Sequence, residues 1–322
     1  MIFEKINTVY TSEELLDKAF RRSKRAFIGK KKNDLKSKVQ SYKSMILTAS
    51  NIISDNLLNI VKMFPNFNNI SLFYKEITDL LIDLNKLKQS LSNINWSSKK
   101  VHDLAREYIS RLESSNQPDL IQKQVFGRIS SIVYSINNDL LYLNDSRNKL
   151  RTLPDIRQDL FTIIVSGYPN VGKSSLISLI TNANIKIASY PFTTTNIAIG
   201  HFKINNITYQ IIDTPGLLDR PMNKRNNIEL QSIIALRYLK GIILYILDPS
   251  EECGYSINNQ INLLNDIKKY FNSSKILVIS NKYDKTTNNN YSFNVNVDCF
   301  ISSLTGYGID NLYRKINDIY NE

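Results

Sequence analysis

The sequence predicts two architectures in series: an all-α helical bundle over residues 1–155, then an α/β domain with a mainly parallel sheet between helices over residues 156–322. Three observations carry this. Apolar residues recur at helical spacing through most of the first 150 positions. After Pro154, short β-branched runs alternate with amphipathic segments, the pattern of a three-layer parallel fold. The length, 322 residues of which 42% are hydrophobic, exceeds one typical domain and suffices for two cores.

In the first half, Thr11-Ser12-Glu13-Glu14 is a capping box opening a helix that runs to about Phe27, with Leu15, Leu16, Ala19 and Phe20 on one face. A lysine-rich joint over 29–32 precedes a long helix near Asp34–Phe64, stopped by Pro65. Ile70–Ser92 and Ser97–Ser115 repeat the 3.6-residue spacing. Pro118, suited to a first helical turn, starts a helix that the pattern carries to Leu150. Long amphipathic helices with short joints predict an antiparallel bundle. No internal repeat is present.

In the second half, Phe161–Ser166 is a strand leading into a glycine loop and a helix. Asn196–Ile204 and Ile207–Asp213 form a predicted hairpin across Asn205-Asn206, a pair tolerant of the left-handed backbone such turns need. Ile242–Leu247, Ile276–Ser280 and Val295–Ile301 are buried-type strands, with helices near Ile228–Leu239, Ser256–Phe271 and Ile309–Tyr320. The polar run Lys285–Asn290 is a predicted loop.

Composition narrows the function. Cys253 and Cys299 are far apart and His102 and His201 isolated, which excludes a zinc site and predicts free thiols in a reducing compartment. No apolar run approaches bilayer length and the N-terminus lacks a signal-peptide core, so a cytoplasmic protein with no membrane partner is expected. Of the net charge of +12, residues 1–155 supply +9, with 25 Lys and Arg against 16 Asp and Glu. A polyanionic partner for the N-terminal half is therefore worth considering.

Gly167-Tyr168-Pro169-Asn170-Val171-Gly172-Lys173-Ser174 fits G-x-x-x-x-G-K-[ST] between a strand and a helix, with Ser175 next in line. Its backbone N–H groups would cradle phosphate, Lys173 would neutralise the β- and γ-phosphates, and Ser174 would ligate Mg²⁺. Asp213-Thr214-Pro215-Gly216 follows a strand: Asp213 would hold the Mg²⁺ shell and the Gly216 N–H would sense a γ-phosphate. Tyr190-Pro191-Phe192-Thr193-Thr194-Thr195 supplies hydroxyls for the same ion. Thr194 is the favoured ligand, and spacing alone does not separate it from its neighbours. Asn281-Lys282-Tyr283-Asp284 reads as N-K-x-D, whose Asp284 carboxylate accepts from guanine N1–H and the 2-amino group, a donor pair adenine lacks. Ser302-Ser303-Leu304 would turn backbone N–H toward guanine O6. Five motifs in order, each at a strand end, predict a P-loop GTPase domain with GTP, GDP and Mg²⁺ as ligands.

With these residues in place, the chain resembles the Nog-type nucleolar GTP-binding protein family, a branch of the Obg-related GTPases. The resemblance rests on Phe3-Glu4-Lys5-Ile6, Glu14-Leu15-Leu16-Asp17-Lys18-Ala19-Phe20-Arg21-Arg22, Tyr190-Pro191-Phe192-Thr193-Thr194, Gly200-His201-Phe202, Asp213–Pro221, Arg225-Asn226 and Asp248–Tyr255. It covers nearly the whole chain and matches the short, archaeal-type form. It implies an assembly factor for the large ribosomal subunit, with the subunit precursor, its rRNA and further assembly factors as partners, and a monomer off the ribosome. A regulator of translation or stress on mature ribosomes, and a GTP-bound structural placeholder with little hydrolysis, are the competing readings.

Leu217 stands where Ras-type GTPases place a water-orienting glutamine. Two consequences stay open: hydrolysis is slow without a partner, or Asn170 helps seat K⁺ against the phosphates as a built-in cation. Catalysis would then rest on Lys173, Asn170, Thr194, Gly216 and Mg²⁺. Lys18, Arg21, Arg22, Lys24, Arg25, Lys30, Lys31, Lys32, Lys36, Lys38 and Lys43, opposed only by Asp34, would track an RNA backbone; a solvated helix face explains the same charge.

Overall fold

The computed structural model describes residues 3–28, 34–181, 185–191, 196–285 and 295–322. They fall into two compact units: Met1–Asn68 with Leu81–Arg151, and Asn69–Leu80 with Thr152–Glu322. Residues 69–80 thus lie within the helical half of the sequence yet cluster with the second unit.

The first unit is helical, built from α1 (Ser12–Ile28), α2 (Leu35–Met63), α4 (Leu84–Glu113), α5 (Pro118–Ser135) and α6 (Asn137–Arg151); α3 (Leu72–Leu81) falls between α2 and α4 in sequence. The predicted box opens α1: Thr11 N–H donates to the Glu14 carboxylate and Glu14 N–H to Thr11 Oγ1. Asp34 caps α2 in the same reciprocal way with Ser37. Helices α2 and α4 pack on each other, and Ile46, Ile53 and Leu57 of α2 and Leu87, Ile94 and Val101 of α4 are all fully buried. Buried serines let the helices approach closely, and Ser98 Oγ donates to Ser54 O at 2.9 Å.

Three helix boundaries differ from the sequence reading. The chain breaks at Ile82-Asp83, where Asp83 caps α4 by accepting from Asn85 and Lys86 N–H, and α4 continues unbroken past residues 93–96. Burial of Ile94 and Ser97 outweighs the weak helix propensity of Asn93–Trp96. The predicted single helix 118–150 is split at Ile136, beside Asn137, whose Oδ1 accepts from Ser12 N–H and Oγ.

The second unit is a seven-stranded mixed sheet. Its elements are β1 (Phe161–Ser166), α7 (Lys173–Thr181), β2 (Ile185–Ser189), β3 (Asn196–Ile204), β4 (Ile207–Asp213), α8 (Asn227–Ala235), β5 (Gly241–Leu247), α9 (Ile257–Tyr270), β6 (Lys275–Ser280), β7 (Cys299–Phe300) and α10 (Ile309–Asn321). The strand order is β2-β3-β4-β1-β5-β6-β7. β4, β1, β5, β6 and β7 are parallel, while β3 runs against both β2 and β4. β1 is buried along its whole length, as its uninterrupted apolar character requires of a central strand. The β3–β4 hairpin turns through Asn205 and Asn206 at φ 47° and 68°, the left-handed pair expected of those residues.

β2 is absent from the sequence reading. It is a five-residue edge strand containing Lys186, too short and too exposed to show a periodicity. The strand expected over 295–301 contracts to Cys299–Phe300. Tyr74 of α3 ties the unit's entry together: its hydroxyl donates to Pro154 O at 2.8 Å and accepts from Ile156 N–H at 2.9 Å, and burial raises its pKa to about 12. No described helix is long and apolar enough to cross a membrane.

Candidate nucleotide site

The parallel strands β1, β4, β6 and β7 all end at the same edge, so the loops that follow them converge, the usual place for ligands on such sheets. The loop after β1 curls through Gly167 (φ 137°), Asn170 (φ 63°) and Gly172 (φ 98°). Glycine is required at two of these positions for space as well as dihedral. A Cβ on Gly167 would lie 2.6 Å from Ile246 O, and one on Gly172 would lie 2.2 Å from the Asn281 amide.

Lys173 opens α7 and folds back over this loop, its Nζ donating to Gly167 O and Tyr168 O at 2.8 Å each. Burial lowers its pKa, and the nearby Asp213 and Asp219 partly oppose that shift. Ser174 Oγ donates to Asp213 Oδ2 at 2.8 Å, while Asp213 Oδ1 is buried with no hydrogen-bond partner among the described residues. Burial raises the Asp213 pKa against the pull of Ser174 and Lys173. A hydroxyl and a carboxylate with one uncommitted oxygen form a hard donor set that suits Mg²⁺. Among the described residues there is no cluster of three or more His, Cys, Asp or Glu to hold any other metal.

Pro169, Asn170, Gly172, Lys173, Ser174, Ser175, Asp213, Pro215 and Asp219 line a cavity of about 440 Å³. The structure therefore gathers Asn170, Gly172, Lys173, Ser174, Ser175 and Asp213 of the sequence-predicted candidates into one cleft, while Gly167, Tyr168, Val171 and Gly216 do not line it. Thr194, with Thr193 and Thr195, lies outside the described residues, although Tyr190 just before them is anchored by its hydroxyl donating to Ser232 O at 2.7 Å. Leu217 is fully buried, its side chain withdrawn into the core.

The loops after β6 and β7 carry the sequence-predicted base-binding residues and are bonded to the loop after β1. Asn281 is fully buried; its Nδ2 donates to Val171 O at 2.8 Å and Ser303 Oγ at 3.1 Å, and its Oδ1 accepts from Ser303 N–H at 2.9 Å. One side chain thus joins the loops after β1, β6 and β7. Lys282 takes a left-handed turn (φ 59°), and its ammonium pairs with Asp248 at the end of β5. Asp284 is exposed, and its carboxylate accepts from Ser302 Oγ. Tyr283 stacks on Tyr307 with ring centroids 5.0 Å apart, and Leu304 projects into solvent. Val171 is buried, whereas Tyr168 stacks on Tyr255 at 4.1 Å.

Three residues to which motif reading gave no role are bonded to the motif loops: Asp219, Arg225 and Asp248. Asp219 Oδ2 accepts from Gly216 N–H at 2.7 Å, and Arg225 Nη1 donates to Gly216 O at 2.7 Å. Asp248, fully buried, accepts from Ser250, Cys253 and Lys282, and its N–H donates to the buried Gln260 amide. The signal was available in part, since Asp248 directly follows the apolar strand β5 and Asp219 follows Leu217-Leu218, whereas Arg225 sits in a polar run.

A mixed, mainly parallel sheet carrying a G-x-x-x-x-G-K-S loop, a D-x-x-G loop and an N-K-x-D loop at one edge defines a domain of the P-loop GTPase class. Residues 3–157 match the family model described as the NOG1 N-terminal helical domain, and residues 227–284 match that of nucleolar GTP-binding protein 1 (NOG1). The chain belongs to the NOG1 family. An uncharacterized protein of Methanocaldococcus jannaschii is 38% identical over 88% of this chain and 81% of its own length. Nucleolar GTP-binding protein 1 of Saccharomyces cerevisiae is 38% identical over 70% of this chain but only 35% of its own length. The chain thus spans about a third of that longer relative. A crystal structure of a putative nucleolar GTP-binding protein 1 from Plasmodium falciparum shares 40% identity, with TM-score 0.46, and covers 52% of this chain and 89% of its own.

Proposed function

We propose that this protein is a GTP-binding and GTP-hydrolysing switch that acts in assembly of the large ribosomal subunit. The observation that carries the nucleotide part is the Asn281 side chain. It fastens the loop bearing Asp284 to the phosphate loop through Val171, so a carboxylate suited to guanine is held in fixed relation to a phosphate cradle. Gly167 through Ser175 would wrap the phosphates, with Lys173 as the counter-charge. Asn281, Lys282, Asp284, Ser302, Ser303 and Leu304 would surround the base.

Ser174 and Asp213 would hold Mg²⁺, with Thr194 completing the shell in the triphosphate state. Bound there, the ion would neutralise charge developing on the β- and γ-oxygens. Lys173 supplies a preorganised positive charge at the same place, already desolvated, where each interaction is stronger than in water. Leu217 cannot orient water, which favours slow turnover unless K⁺ near Asn170 or a partner adds charge. Its burial also supports the second reading, a GTP-bound placeholder that hydrolyses little.

Family membership supports the ribosomal part, in that relatives are named nucleolar GTP-binding proteins. Exposed Arg21, Arg22, Lys24, Arg25, Lys36 and Lys38 would meet rRNA, while Lys30, Lys31 and Lys32 lie outside the described residues. Off the ribosome we expect a cytoplasmic monomer.

Titration with labelled GDP and ADP tests the nucleotide reading, and guanine should win by roughly 10⁴-fold or more. Equal affinity for the two bases refutes it. Co-sedimentation tests the partner: the protein should travel with immature large subunits and leave them as salt rises. Migration with mature ribosomes alone transfers the assignment to translation control.

A further inference from the structure

The stretch Asp213–Pro221 with Arg225 contains an arrangement that the GTP reading does not use. Gly216 N–H is the donor a γ-phosphate would take, and here Asp219 Oδ2 holds it at 2.7 Å. Asp219 also lines the cavity beside Lys173 and Ser174, so its carboxylate borders the space the phosphates would enter. Behind it stands Arg225, whose Nη1 donates to Gly216 O and whose Nη2 lies 3.8 Å from Asp219 Oδ1. The Arg225 side chain is only 1% exposed, and its Nε and Nη2 have no hydrogen-bond partner among the described residues.

Buried guanidinium donors without acceptors are costly, so this cation is set to take a further anionic oxygen. A carboxylate and a phosphate offer the same thing to a backbone N–H and an arginine: negatively charged oxygens in charge-assisted hydrogen bonds. They cannot share the Gly216 N–H, and two anions side by side repel.

We propose that Asp219 is an internal stand-in for the γ-phosphate, displaced by a triphosphate that then takes the Gly216 N–H and the spare donors of Arg225. The inference rests on the GTP reading and adds to it a residue pair that sets the preference for triphosphate over diphosphate. A diphosphate ends before this position, leaving Asp219 in place. A triphosphate must expel it, and because Arg225 is bonded to Gly216 O, the loop from 216 to 225 moves with the exchange.

The test uses the full chain and two fluorescent ligands, GDP and a non-hydrolysable GTP analogue. Asp219→Ala should tighten binding of the analogue by about tenfold or more, the worth of a charge-assisted hydrogen bond no longer in competition, and leave GDP within about twofold. Asp219→Asn, which keeps an acceptor but drops the charge, should fall between Asp219→Ala and the wild type. Arg225→Met should weaken the analogue by a similar factor and spare GDP, with Arg225→Lys recovering part of the loss. GDP binding reports in each variant that the site is folded; should Arg225→Met lose it, Arg225→Lys carries the comparison. An unchanged analogue-to-GDP ratio in Asp219→Ala overturns the inference while leaving the GTP reading intact. A wild-type protein that binds neither ligand overturns both.

Discussion

Replacing Asn281 by alanine should loosen the site before any nucleotide is added. The side chain makes three hydrogen bonds, to Val171 O, Ser303 Oγ and Ser303 N–H, and is fully buried. At a net worth of about 1 kcal/mol each, their loss amounts to about 3 kcal/mol. For a unit of this size, about 1 kcal/mol moves the melting temperature by roughly 2–4 °C, so the shift should be roughly 6–12 °C. Asn281→Asp, which keeps the shape but turns an anion toward Val171 O, should lose at least as much, separating hydrogen bonding from cavity volume. The assay is thermal unfolding of the ligand-free chain, followed by hydrogen exchange in the segments around Val171 and Ser303. If Asn281→Ala melts with the wild type, Asn281 does not join the loops and the base-to-phosphate coupling argued above is wrong.

Three further outcomes follow from the same geometry. Asp284→Asn exchanges an acceptor for a donor facing the base, so guanine affinity should drop by on the order of 10²-fold or more while xanthine nucleotides, with an acceptor at C2, gain; competition binding with the two bases decides it. Burial raises the Asp213 pKa above 3.8 in the folded chain, so its ionisation works against the ligand-free fold. Its contribution to stability is therefore present at low pH and lost as pH rises through the raised value. Asp213→Asn should flatten that part of the stability–pH curve and abolish Mg²⁺-dependent nucleotide binding; a curve identical to the wild type would contradict the assigned burial effect. Exchanging K⁺ for Na⁺ should slow GTP turnover by about tenfold or more if a cation at Asn170 supplies transition-state charge, and Asn170→Ala should remove the difference. Equal rates in the two salts would leave Asn170 a structural turn residue.

Local backbone chemistry accounts for most of what could be read before the structure. The Thr11–Glu14 box, the Asn205-Asn206 turn and the glycine-lysine loop each fix a few consecutive dihedrals, and each appears where the residues require. The loops that begin at Gly167, Asp213 and Asn281 were legible for the same reason, since each is a short stretch that directly follows a strand or ends one, whereas Thr193, Thr194 and Thr195 lie outside the described residues. The helix break at Asp83 and the continuous helix through Ile94 were not, because burial against distant helices decided between two locally acceptable endings. The edge strand β2 escaped because five residues, none of them buried, leave no pattern.

Sequence alone determined that an α/β nucleotide fold follows a helical one, which family the chain resembles, and which residue types could grip phosphate and guanine. Only tertiary structure decided that Asn281 reaches Val171 across 110 positions of chain, that residues 69–80 cluster with the second unit, and that Asp219 rather than solvent holds the Gly216 N–H. The division has a physical basis. Dihedral preference and periodicity act between near neighbours, whereas the partner of a buried amide or carboxylate is set by whichever distant loop the folded sheet brings within about 3 Å.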